Sequence, residues 1–214
     1  KKNILVVVPD EKVGSDWINS SKDLLLDASM LPDTKSAGEG MVVTTYSNLG
    51  QNPALASRDW DLVIADEAHK LMQGKDGKAT AALDNLRAIT LHPDGSYARY
   101  RMQNAADLEK LEKWIKKQEA NKAEGKEDEA LQSKIIALND SLEARRKATA
   151  ADVASRQGAA RTRMLALSAT PFAYEKSVDW AQGYLFEYPK ASGSVYNSGA
   201  GWQRFMMQHF GYTM

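Results

Sequence analysis

The chain has 214 residues, 43% of them hydrophobic, enough for one buried core or one core with an appendage, so a single domain is the expectation. Its 28 basic and 28 acidic residues cancel, which removes the overall positive field of a charge-driven nucleic-acid binder and leaves only local contacts to recognise such a partner. There is no cysteine, which excludes disulfides and thiolate metal sites and fits a reducing intracellular compartment, cytoplasmic or nuclear; no apolar run approaches the roughly 20 residues of a membrane helix, and no signal peptide is visible.

"NILVVVP" (3–9) is a β-branched run ended by proline, the pattern of a strand buried on both faces. In "SDWINSSKDLLLDASM" (15–30), Ser15 is placed to cap a helix carrying Trp17, Ile18 and Leu24 to Leu26. "MVVTTYSNL" (41–49) reads as a second buried strand, followed by a polar turn and Pro53, and "DLVIAD" (61–66) as a third. A helix is expected over Thr80 to Ile89, and "HPDGSY" (92–97) as a turn able to close a small hairpin. Two long amphipathic stretches follow. The first (104–125) carries Leu108, Leu111 and Ile115 on one face. The second (128–158) spaces Leu131, Ile135, Leu138 and Leu142 as a heptad-like seam. Gly125 is able to break the helix between them. "MLALSA" (164–169) is a fourth strand.

Strands alternating with helices predict an α/β domain with a mostly parallel sheet covered on both faces, whose ligands bind beyond the carboxyl ends of the strands. The long stretches predict an antiparallel helical hairpin inserted in that domain, because each apolar stripe needs another to bury it. Residues 1–97 and 161–214 form the main lobe on this reading, with 98–160 as the insertion. Lysines and arginines on the hairpin alternate with glutamates, as on a solvated face; Arg156, Arg161 and Arg163, nearer the last strand, are better placed to contact a polyanion.

"VIADEAHK" (63–70) runs a buried strand directly into two carboxylates and a histidine. A bare Asp-Glu pair is usually an exposed acidic turn or a helix cap. At a strand end beside a phosphate site, however, one carboxylate can hold Mg²⁺ through its water shell while the next activates a water. This pair has company. "VIADEAHK" resembles motif II of the superfamily 2 helicases and translocases in its DEAH form, and "LALSATPF" (165–172) resembles their motif III. "ILVVVPDEKVGSDW" (4–17) is similar to motif Ia of the Swi/Snf-like and restriction-translocase branches, in which a tryptophan follows the proline, and "VVTTYSNL" (42–49) to motif Ib. "YLFEYP" and "GWQRFMMQHF" near the end loosely resemble the aromatic segment after motif III.

The resemblance implies a RecA-like P-loop NTPase fold, incomplete at its N-terminus, in the first lobe of an ATP-dependent motor. Asp66 would hold magnesium, Glu67 would be the catalytic base, and His69 would stand between the nucleotide and motif III. Ser168, Ala169 and Thr170 would couple the nucleotide state to the nucleic-acid groove, while Pro9, Asp10, Lys12, Thr44 and Thr45 would meet nucleic-acid phosphates. The implied cofactors are ATP and Mg²⁺. The implied partners are nucleic acid, double-stranded DNA before RNA, and a second RecA-like lobe of a longer chain, with no membrane. Nothing resembles the phosphate-binding loop G-x-x-x-x-G-K-[ST]; "GKDGK" (74–78) follows motif II and has the wrong spacing. The chain therefore reads as an excised piece, inactive alone, and the alternative is a non-hydrolysing interaction module on a decayed motor fold.

Overall fold

The computed structural model describes residues 2–31, 40–73, 78–156 and 161–169, together with Trp180, Ala181 and Tyr184. Its centre is a five-stranded, all-parallel sheet of β1 (Ile4–Val8), β2 (Ala28–Met30), β3 (Met41–Thr45), β4 (Leu62–Asp66) and β7 (Arg163–Leu167), in the order β2-β3-β1-β4-β7. A separate two-residue antiparallel pair joins β5 (Met72–Gln73) to β6 (Lys78–Ala79). The helices are α1 (Glu11–Asp23), α2 (Tyr46–Gln51), α3 (Ala81–Ile89), α4 (Ser96–Gln103), α5 (Ala105–Ala123) and α6 (Glu129–Ser155).

Period-two alternation sorts the strand residues onto two faces. Val6, Val8, Met41 and Val43 point one way and are covered by Val13, Trp17 and Ile18 of α1. Leu5, Val7, Val42, Val63 and Ala65 point the other way, into the larger core with Leu49 of α2, Leu83, Leu86 and Ile89 of α3, and Met102 of α4. Gly14 lets α1 lie close on the first face, since a Cβ there would stand 3.4 Å from Val8 and Val43 and collide with the tip of Met30. The chain steps outward from β1 to β2, returns through β3, then crosses β1 to β4, so the strand order reverses about β1. Parallel α/β sheets open a crevice at the carboxyl ends of the strands at such a point.

Several expected boundaries move. Asp10, not Ser15, caps α1: its carboxylate accepts from the Val13 amide at 3.0 Å, while the Ser15 hydroxyl bonds back to the Glu11 carbonyl. Leu24 to Leu26 lie beyond α1, with Leu25 at φ 55° and 94% exposed. The second strand ends at Thr45 because that residue turns to cap α2, accepting from the Asn48 amide at 3.1 Å. "HPDGSY" closes no strand hairpin. It is a one-turn link between α3 and α4, in which a Cβ on Gly95 would overlap the backbone of Arg87.

α5 and α6 pack side by side, and the outer part of the hairpin projects, with no α5 residue fully buried. The base does not. α6 also packs along α4, where Leu142 and Val153 are 2% exposed, and Arg145 bonds Asn104 (3.0 Å) and Asp107 (2.6 Å). Asp59 ties this base to the sheet by accepting from Arg99 of α4 at 2.9 Å and from Arg156 just after α6. Among the described residues no helix is long and apolar enough to cross a membrane.

Candidate functional site

Four of the five parallel strands bring residues singled out in the sequence to one edge of the sheet. Pro9, Asp10 and Lys12 follow β1, Thr44 and Thr45 end β3, Asp66 ends β4 with Glu67 and His69 beyond it, and Ser168 and Ala169 follow β7. The register pairs Asp66 with Leu167, so the residues just beyond the two strands are neighbours although about a hundred positions separate them in the chain.

The backbone makes the junction. Glu67 has φ 52° and ψ 51°, the left-handed region that a non-glycine residue enters at a cost of about 1–2 kcal/mol. That turn ends β4 and starts a short 3₁₀ segment, Ala68–Leu71, anchored in the core by its buried Ala68 and Leu71. Its consequence is a triangle of side chains. Ser168 Oγ donates to Glu67 Oε2 at 3.2 Å, His69 Nδ1 lies 3.0 Å from Ser168 Oγ, and the same Nδ1 lies 3.2 Å from Glu67 Oε2. A Ser-His-carboxylate nucleophile relay places serine and carboxylate on opposite ring nitrogens. Here both meet Nδ1, so the triangle is a linkage between two strand ends and not that relay.

Asp66 is held separately. Its Oδ2 accepts from the indole Nε1 of Trp17 at 2.8 Å, and its main-chain oxygen accepts from the Tyr46 hydroxyl at 2.7 Å. Burial pushes the Tyr46 phenol far above its usual range, and the charges of Asp66 and Glu67 add to the effect, so Tyr46 remains a neutral donor. Neither tyrosine nor tryptophan was among the residues expected at the site. In the sequence Tyr46 falls inside the strand expected over 41–49, and the only sign of Trp17 is its place after Pro9.

The edge does not treat all expected residues alike. Thr44 is 0% exposed and its hydroxyl accepts from Asn48 Nδ2 at 2.8 Å, so its side chain cannot meet a phosphate; its role is internal. Thr45 is half-buried and occupied with capping α2, and Asp10 caps α1. Lys12 is exposed. Thr170 lies outside the described residues, as do residues 74–77 of "GKDGK" and the two aromatic stretches near the end, apart from Tyr184. Arg156, Arg161 and Arg163 stand elsewhere. Arg163 begins β7, about 17 Å of strand from Ser168; Arg161 stacks 4.9 Å from the Tyr184 ring centroid and donates to the Thr90 carbonyl.

The donors fit a hard cation in a limited way. Mg²⁺ takes oxygen ligands and commonly uses one or two carboxylates, with water and phosphate completing its shell. Asp66 offers an oxygen of that kind, since Trp17 occupies Oδ2 and leaves Oδ1. Among the described residues no group of three or more His, Asp or Glu could enclose a metal. For a triphosphate the fit is absent: the described residues at this edge form no glycine-rich cradle. Two cavities of about 600 and 570 Å³ lie away from it, one around Asp59, Asp61 and Arg163 at the amino ends of the strands, the other between α2–α3 and α4–α5. Comparison with protein-family models finds no match to this chain, and comparisons with curated proteins and with solved structures find none either.

Proposed function

We propose that this chain is part of the first RecA-like motor lobe of an ATP-dependent superfamily 2 DNA helicase or translocase, acting on nucleic acid together with a second lobe and a phosphate-binding loop carried by a longer protein. The observation that supports it most is the Glu67–Ser168–His69 triangle. Motif II and motif III, matched independently in the sequence, supply residues that meet within 3.2 Å at the carboxyl ends of adjacent parallel strands. Such a contact is what a coupling role requires, because a change in charge or water at Glu67 is felt directly by the segment after β7. Asp66 would hold the magnesium ion through one oxygen, and Glu67, 40% exposed at its side chain, would orient or deprotonate the attacking water.

Within this reading the isolated chain is idle. Two carboxylates without a cationic cradle repel a triphosphate, and the affinity of such sites comes from backbone amides and lysine. Calorimetry on the 214-residue chain with Mg-ATP should therefore detect no binding in the micromolar range; saturable binding there would place a phosphate site within this sequence, with residues 74–78 the first to test. In the longer protein, Glu67→Gln should reduce nucleic-acid-stimulated ATP hydrolysis more than tenfold while nucleotide binding persists, because only water activation is removed. Hydrolysis at the wild-type rate would remove Glu67 from the role. Absence of any hydrolysis in the wild-type longer protein would favour a non-catalytic interaction module.

A further inference from the structure

We infer that Trp17 is a positioning residue for the cation site: its indole N–H fixes the Asp66 carboxylate so that a single oxygen, Oδ1, is presented to a divalent cation. The inference rests on the proposed role of Asp66 and adds a residue to which that reading gives no task.

The geometry is specific. Asp66 is the last residue of β4 and lies on the same sheet face as Ile64, which packs with Trp17 beneath α1. α1 runs back along the sheet from its cap at Asp10, so Trp17 is nearly two turns below the edge. Helix side chains lean toward the helix N-terminus, and that lean carries the indole up to the strand end, where Nε1 reaches Oδ2 at 2.8 Å. The ring is half-buried against Val6, Val8 and Val43, which limits its rotation. An indole N–H donates and never accepts, so it is compatible with a carboxylate at every pH and cannot neutralise it by proton transfer.

Two consequences follow for cation binding. A free aspartate can chelate through both oxygens or rotate away; with Oδ2 engaged by the indole, the carboxylate is held in one orientation and Oδ1 is the oxygen left for a cation. Tyr46 fixes the main chain of the same residue from the other face, so side chain and backbone are restrained by different elements. Partners that orient a ligating group typically alter metal affinity by about 10- to 100-fold when removed. The tryptophan is thus a hydrogen-bond donor first and a packing residue second, which a structural role alone would not require.

Mn²⁺ binding to the 214-residue chain, followed by electron paramagnetic resonance of the free ion, tests this. Wild type should bind a single ion at low affinity, and Asp66→Ala should remove that binding. Trp17→Phe, which keeps an aromatic ring and deletes the donor, should weaken binding about tenfold. Trp17→His, which restores a ring N–H, should recover part of the loss. Unchanged affinity in Trp17→Phe, with binding still dependent on Asp66, overturns the inference and leaves the proposed function standing. Equal Mn²⁺ behaviour of wild type and Asp66→Ala removes Asp66 as a cation ligand in this chain and overturns the inference with it. Should Trp17→Phe fail to fold, wild-type NMR decides. Of the five tryptophan indole N–H resonances, one should move on Asp66→Ala and be the first broadened by Mn²⁺. Absence of such a resonance overturns the inference.

Discussion

Asp59 shows how much one carboxylate can organise. Burial of its carboxyl is the largest single influence and pushes its pKa upward, but the hydrogen bonds and charges of Arg156 and Arg99 together outweigh it and hold the group below the usual aspartate range. A depressed folded-state pKa means that the stabilisation is complete above the unfolded value of about 3.9 and is lost as pH falls from there through the lower folded value. Thermal melts should therefore show wild type above Asp59→Asn by a constant margin from pH 7 down to about 5. The margin should close below pH 4, where the protonated aspartate becomes equivalent to asparagine. A margin independent of pH would mean that the two arginines are not partners of the charged form. At this scale the sequence is legible only where a motif names a residue. Glu67, His69 and Ser168, singled out in the sequence, meet at one end of the sheet with Asp66 beside them, whereas Asp59, Trp17 and Tyr46 carry no local signature, because their partners lie 97, 49 and 20 positions away.

Among the elements, β1, β4 and α3 follow directly from their runs of apolar residues and their caps, while β2, α2 and α4 do not. β2 is three residues long, too short for periodicity to register, and α2 begins where Thr45 exchanges strand pairing for a capping bond. α4 buries Arg99, Tyr100 and Met102 within a polar stretch, so its hydrophobic pattern is faint. The hairpin is also less independent than its seam suggests. Its two helices pack on each other, and its base packs on α4 as well. Excising residues 115–137 and joining the ends with a short Gly/Ser linker should lower the melting temperature by less than about 5 °C. Leu142→Ala, at the buried base, should cost about 2 to 5 kcal/mol by denaturant titration. The reverse ranking would make the tip, not the base, the part that belongs to the lobe.

At the scale of the whole molecule, the described residues form a sheet with the Glu67–Ser168–His69 cluster beyond the carboxyl ends of its strands and the Asp59 ion pairs at the other end. The parallel alternation is readable because β1 and β3 are buried on both faces, β4 buries Val63 and Ala65 on one, and helical stretches separate them. The order β2-β3-β1-β4-β7 was not, since no local pattern states which strands neighbour each other. That order leaves β7 at the rim, paired with β4 alone among the described residues, with Leu165 46% exposed. The Arg163 amide donates inward, to the Asp61 carbonyl, and alternation then turns the amides of Leu165 and Leu167 inward and those of Met164 and Ala166 outward. Amide hydrogen exchange should record this as a two-beat rhythm along one short strand. Leu165 and Leu167 should keep their protons for a time set by opening of the sheet, and Met164 and Ala166 should lose theirs at nearly the rate of an unstructured peptide. Uniform slow exchange along β7 would mean that another strand lies against its outer side. In a longer chain, the same two amides would be the first to slow when such a strand arrives, so their exchange would time the completion of the sheet.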